Sequence, residues 1–254
     1  MPDLHAETQG AEGAMKRKAL IIGNTGRDLP GVEIDMRNYK AFMTTPLGGM
    51  WAAMEITLLN NPSENTVTTE INALRQADYS FVVFCGHGAY QGASTFVQIR
   101  PGVKISEDNL KIGAAKHTLI LDCCRVVEPE VATESLMAKA DKVAPLLNPS
   151  DCRMYFDEKI ADCPSGLVVM YACSVNETAG EGHLGGWYST SLIDAAKQWH
   201  ERSHVDTAKS YEILSVTDVH SRAEVSVKRR SGQRQNPVCD YPRTQKRFPF
   251  AIIA

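Results

Sequence analysis

The chain has 254 residues, with 27 Lys+Arg against 30 Asp+Glu and 43% hydrophobic residues. That apolar share excludes wholesale disorder, and a formal net charge of −3 gives no mark of a polyanion binder. Uncharged apolar stretches such as residues 166–173 fall far short of the roughly 20 residues that span a bilayer.

The opening MPDLHAETQGAEGAMKRK lacks the apolar core of a secretory signal, so a cytoplasmic protein is expected, with no membrane or nucleic-acid partner. The seven cysteines are odd in number and include no C-x-x-C pair. Reduced thiols are therefore expected rather than a disulfide framework or a structural zinc site.

Residues 1–16 are polar and without period, and read as a flexible tail ahead of a domain over 17–254. KALIIGN (18–24) is a short buried strand closed by Gly23 and Asn24. The spacing of Ile34, Tyr39, Phe42 and Met43 predicts a helix within 32–50. A strand over 54–62 and a helix over 63–76 follow, the helix with Val67, Ile71 and Leu74 on one face. YSFVVFCGHG (79–88) and HTLILDCC (117–124) are continuous apolar runs, separated by a short helix within 106–113. Residues 126–165 are polar, carry four prolines and show little period, as a functional or mobile connection would. A strand over 166–173, helices over 187–200 and 210–227, and a last strand over 247–254 complete the chain. The run KRRSGQR (228–234) lacks interleaved aromatics and reads as a solvated loop. Strands alternating with helices imply an α/β fold with a mostly parallel six-stranded sheet, covered by helices on both faces. Ligands in such sheets sit beyond the carboxyl ends of the strands.

Two of those ends carry reactive groups. Gly86-His87-Gly88 closes one strand and Asp122-Cys123-Cys124 the next. Neighbouring strands are about 4.8 Å apart, so an imidazole on one can face a thiol on the other and take its proton. Spacing alone leaves Cys123 and Cys124 both open as the nucleophile. Backbone N–H groups at His87's following glycine and at the nucleophile would stabilise an oxyanion.

At these residues the sequence resembles the caspase-like cysteine peptidases of the C14 type: caspases, metacaspases and their bacterial relatives. VVFCGHG is similar to the family's strand ending in S-G-H-G, and LILDCCRV to the strand ending in D-x-C. KALIIGN, LPGVEIDMRNYKAF, YACSVNETAGE, GGWYSTSLIDAA and the closing RQNP and FPFAIIA extend the resemblance over about residues 17–254. It implies the caspase-hemoglobinase fold, with His87 as general base and Cys124, at the third position of D-x-C, as nucleophile. It also implies Gly88 and Cys124 as oxyanion donors. Asp122 would line the primary specificity pocket and pair with a basic substrate side chain, Arg better than Lys. Asn176, or Glu177 in its place, would supply a second pocket residue.

Residues 126–165 would be the linker between a large-subunit part (17–125) and a small-subunit part (166–254). Lys139, Lys142, Arg153 and Lys159 are candidate sites of activating cleavage, by the protein itself or by an upstream protease. No cofactor is expected; some metacaspases depend on calcium, but no compact Asp cluster marks such a site here. The alternatives are a catalytically silent caspase-like interaction module and a CHAT- or clostripain-like peptidase of the same clan. A fluorogenic peptide ending in Arg separates the first of these from an active peptidase.

Overall fold

The computed structural model describes residues 14–26, 28–127, 146–203 and 211–254. In chain order the first half comprises β1 (Arg17–Gly23), α1 (Gly31–Met43), β2 (Ile56–Asn60), α2 (Glu64–Leu74), β3 (Tyr79–Cys85), β4 (Gly88–Gln91), β5 (Ser94–Arg100), β6 (Val103–Ser106), α3 (Glu107–Leu110) and β7 (Lys116–Asp122). The second half comprises α4 (Pro149–Asp162), β8 (Gly166–Tyr171), β9 (Glu181–Gly182), β10 (Gly185–Gly186), α5 (Trp187–Arg202), β11 (Glu212–Ser215), α6 (Val216–Arg230), β12 (Val238–Asp240) and β13 (Pro249–Ile253).

The main sheet has six strands in the order β12-β8-β7-β3-β1-β2, all parallel except β12 at the edge. Its strands are apolar along their length because each feeds two cores. Ala19 and Ile21 of β1 enter one core while Leu20 and Ile22 enter the other, and Ile120 and Leu121 of β7 divide the same way. Helices α1, α4, α5 and α6 cover the first face, and α2, α3, β5 and β6 the second. Side chains such as Leu20, Ile21 and Leu119 are wholly buried, each stabilising the fold by about 1.5–3 kcal/mol. Ser63 caps α2, accepting a hydrogen bond from Thr66 N at 3.1 Å.

Three expectations are revised. The predicted last strand exists, but β13 pairs antiparallel with β11 in its own two-stranded sheet. The sixth strand of the main sheet is β12, three residues long and too short to carry a period. The helix expected over 210–227 is α6, preceded by β11.

Second, β4, β5 and β6 form an antiparallel sheet that the run of mixed polarity after Gly88 concealed.

Third, part of the expected linker is a helix. Asn148 caps α4, accepting from Ser150 N at 3.0 Å, and Pro149 sits in the first turn. Cys152, Phe156 and Ile160 are its only buried residues, a stripe too narrow to stand out among polar neighbours. A fully buried Arg17 at the start of β1 holds the helix. Its guanidinium donates to Gly49 O at 3.0 Å and Met50 O at 3.1 Å, pairs with Asp157 at 3.2 Å, and lies 4.5 Å from the Trp51 ring centroid. At the far end of α4, Lys116 Nζ donates to the carbonyls of Ile160 and Ala161 at 2.7 and 2.8 Å. Helix α4 thus lies across the amino ends of β1 and β7.

Candidate active site

Register and side-chain alternation assemble the site. Cys85 of β3 pairs with Asp122 of β7, and Gly86 N donates to Asp122 O at 3.2 Å. Two residues beyond that pair, His87 and Cys124 leave adjacent strands at the same level. Side chains alternate across a strand, so Asp122 shares the side of Ile120, which faces the first core. Cys123 turns to the second core, where it is 1% exposed. Cys124 is half-buried, and its sulfur accepts from Ala179 N at 3.3 Å.

Glycine brackets His87 for steric reasons. Gly86 has φ +151°, and a Cβ at Gly88 would stand 2.5 Å from Cys123 Sγ and 2.6 Å from Cys124 O. Burial pushes the Cys124 thiol above its ordinary pKa, with the Ala179 N–H acting in the opposite sense. A thiol in that state needs a base to become a nucleophile at neutral pH.

Arg125 fixes the chain just past the thiol. Its guanidinium lies 3.9 Å from the Tyr171 ring centroid and donates to Thr95 Oγ1 at 3.1 Å. Its backbone N–H donates to Glu177 O at 3.0 Å. Val126 continues alongside β4, its carbonyl accepting from Tyr90 N at 3.0 Å.

Beside the strand ends lies a cluster of buried carboxyls. Asp122 Oδ2 accepts from Ser189 N at 2.9 Å and Ser189 Oγ at 2.6 Å. Asp35 Oδ2 accepts from Gly186 N at 2.7 Å, while its Oδ1 is buried without a partner. A Cβ at Gly186 would stand 2.5 Å from Asp122 Oδ2 and 3.1 Å from Asp35 Oδ2. The two carboxyls therefore lie within about 6 Å of one another, where like charges oppose each other's ionisation. A Cβ at Gly31, the first residue of α1, would stand 2.8 Å from Glu181 Oε2, and Glu181 Oε1 is also buried without a partner. Burial, then the neighbouring Asp122, pushes Asp35 well above the usual carboxylate range. Burial likewise raises Asp122, against the bonds from Ser189, and raises Glu181.

The expected second pocket residues, Asn176 and Glu177, bond to groups other than Asp122. Asn176 is exposed at φ +66° in a turn, its N–H donating to Arg125 O at 2.8 Å. The Glu177 carboxylate is taken up by Asn236, with N at 2.7 Å and Nδ2 at 2.6 Å, and by Ser174 N at 3.1 Å. Asp35 and Glu181 stand near Asp122. A signal for Asp35 was present: it interrupts the buried stripe Val32, Met36, Tyr39 of α1, a costly place for an acid without a purpose. Glu181 sits in a two-residue strand that left no pattern.

Among the candidate cleavage sites, Arg153 and Lys159 belong to α4. Arg153 pairs with Glu55 through two bonds of 2.7 Å and with Asp157 at 3.0 Å, and Lys159 pairs with Asp162 at 3.8 Å. Lys139 and Lys142 lie outside the described residues. Among the described residues no group of three or more His, Cys, Asp or Glu side chains is arranged to hold a metal, and no helix is long and apolar enough to cross a membrane.

The arrangement resembles known proteins at two levels. In three dimensions the chain is similar to a crystal structure of caspase-1 from Spodoptera frugiperda, with TM-score 0.54 and 9% identity, covering 88% of this chain and 87% of that one. No curated protein sequence matches. A family model described as the caspase domain, of peptidase family C14, matches residues 16–249. With that match running from the first strand into the last, the chain belongs to the caspase-domain family.

Proposed function

We propose that the protein is a cysteine endopeptidase that cleaves protein substrates after Arg, and less well after Lys. The observation that carries the specificity is the carboxyl cluster, in which Asp35, Asp122 and Glu181 converge and, among the described residues, no Lys or Arg side chain pairs with them. Buried carboxyls with unpartnered oxygens are costly, and a substrate guanidinium entering the pocket would relieve that cost through charge-assisted, bidentate bonds. Lys brings the same charge but one point of donation, hence the weaker preference.

In this reading His87 accepts the thiol proton and Cys124 Sγ attacks the scissile carbonyl carbon. The N–H groups of Gly88 and Cys124 stabilise the oxyanion. His87 then protonates the leaving amine, and water, with His87 again as base, releases the acyl group from Cys124. A free thiol suits a reducing compartment, and we place the protein in the cytoplasm.

We place activating cleavage in the connection between β7 and β8. Arg153 and Lys159 are held in a packed helix that would have to unwind to enter an active site. Lys139 and Lys142 are therefore the better candidates.

Fluorogenic peptides ending in Arg, Lys or Asp, assayed with the intact protein and a Cys124→Ala control, test the activity. Turnover of Arg over Lys, with none after Asp and none by the control, is the expected result. Loss of the preference without loss of turnover would remove the pocket assignment. Mass analysis of incubated wild type and Cys124→Ala tests activation. No fragment in either, with full activity in the intact chain, would remove that part.

A further inference from the structure

The loop between β1 and α1 carries a carboxylate that neither the strand ends nor the specificity pocket accounts for. Asp28 Oδ2 lies 2.6 Å from His87 Nε2. The contact is built rather than incidental. Gly26 and Leu29 close a tight turn through an isolated bridge, with Leu29 N donating to Gly26 O at 3.3 Å, and Val32 N donates to Leu29 O as α1 begins. That turn carries Asp28. The bond to His87 holds the Asp28 carboxyl below the usual carboxylate range.

We infer that Asp28 is a positioning residue that orients His87 and selects its tautomer, so that Asp28, His87 and Cys124 act as a chain of three. The inference rests on the peptidase reading for its consequence, but the geometry stands by itself. An ionised carboxylate only accepts hydrogen bonds, so Nε2 must carry the hydrogen. In the neutral ring the lone pair is then on Nδ1, the nitrogen left for the Cys124 thiol. When Nδ1 takes the thiol proton, the imidazolium forms against a carboxylate already in place, and no proton passes to Asp28. Glu181 also acts on His87 electrostatically, but through space rather than by a hydrogen bond. The Asp28 side chain is 59% exposed and that of His87 26%. Water therefore substitutes in part for a missing carboxylate, and the effect should fall well short of the roughly 10⁴-fold seen for buried triad acids.

The test compares wild type with Asp28→Asn and Asp28→Glu. Asp28→Asn is expected to lower kcat on an Arg peptide by about 10- to 100-fold with KM little changed, and Asp28→Glu to restore part of it. A second readout does not need substrate: alkylation of Cys124 by iodoacetamide, followed by mass spectrometry. Near neutral pH the reaction reports the imidazolium–thiolate pair, and at strongly alkaline pH it reports a thiolate that needs no partner. Asp28→Asn should slow alkylation near neutrality and leave the alkaline rate unchanged. A merely structural role would move both rates or neither. Equal alkylation profiles in wild type and Asp28→Asn would overturn the inference, whether or not any peptide is cleaved. Absence of peptide cleavage by wild type, both intact and cut between β7 and β8, with the alkylation difference intact, would remove the peptidase reading and leave the positioning role standing.

Discussion

Asp35 keeps one carboxylate oxygen buried without a partner while a second carboxyl, Asp122, stands close by. Asp35→Asn keeps the shape and the acceptor for Gly186 N, removes the charge, and gives Asp122 a donor in place of a like neighbour. A buried polar atom without a partner costs about 1–3 kcal/mol, and more when charged. Relief on that scale should raise Tm by roughly 2–10 °C for a chain of this size. The sign with pH follows from the raised pKa. Between the unfolded and folded values the native state binds more protons than the unfolded one, so wild-type stability falls as pH rises through that window. The variant lacks this loss, so its advantage should be small below about pH 3, where Asp35 is protonated in both states, and should grow toward neutral pH. Activity should move the other way. Losing one carboxylate from a desolvated charge pair costs about 2–4 kcal/mol, or roughly 30- to 1,000-fold in kcat/KM on an Arg peptide. Thermal melts across pH, paired with kinetics, check both halves. A variant no more stable than wild type at neutral pH would refute the argument from an uncompensated buried charge. Undiminished Arg cleavage would refute the placement of Asp35 in the specificity pocket.

Cys124→Ala should abolish turnover with little change in Tm. Cys123→Ala should keep turnover while losing about 1–2 kcal/mol for its buried thiol, measured by denaturant unfolding. Gly88→Ala forces a methyl against Cys123 Sγ and Cys124 O; kcat should fall at least about 10²-fold as the oxyanion geometry shifts, with circular dichroism showing the fold retained. His220 is buried, bonds to Tyr188 Oη at 2.6 Å, and has its pKa lowered by burial to about 4. Below its unfolded value the denatured chain takes up a proton that the native chain does not, so stability is lost as pH falls from about 6.5 toward 4, by roughly 3 kcal/mol in full. His220→Gln should flatten that slope in urea titrations.

Much of this architecture was legible because burial on both faces leaves a coarse mark. Runs such as LIIG and FVVFC have no polar face to alternate, so they read as central strands, and His87 and Cys124 follow where such runs stop. What stayed hidden was short or long-range. Three residues of β12 cannot show a period. The β4–β6 sheet alternates weakly, and α4 buries only every fourth residue. The carboxyl cluster depends on Glu181 meeting Gly31 and Asp35 meeting Gly186 across some 150 residues of chain, and no local pattern encodes such a meeting. Asn176 was the choice by position, with Glu177 in its place, but no local pattern shows that Asn236, 59 residues away, engages the Glu177 carboxylate.

The placement of α4 bears on what a cut between β7 and β8 would leave behind. The strands on either side of the break are neighbours, paired from Lys116↔Gly166 to Leu121↔Tyr171. Asp35 and Asp122 belong to the first piece, and Glu181, Gly186 and Ser189 to the second. Through Asp157 and Arg17 the second piece also grips the first strand of the first. Neither piece carries a complete pocket or a complete core, so the products of cleavage would behave as an obligate heterodimer. Their stability would then depend on concentration by mass action, and dilution alone would act as an off-switch that the uncut chain does not possess.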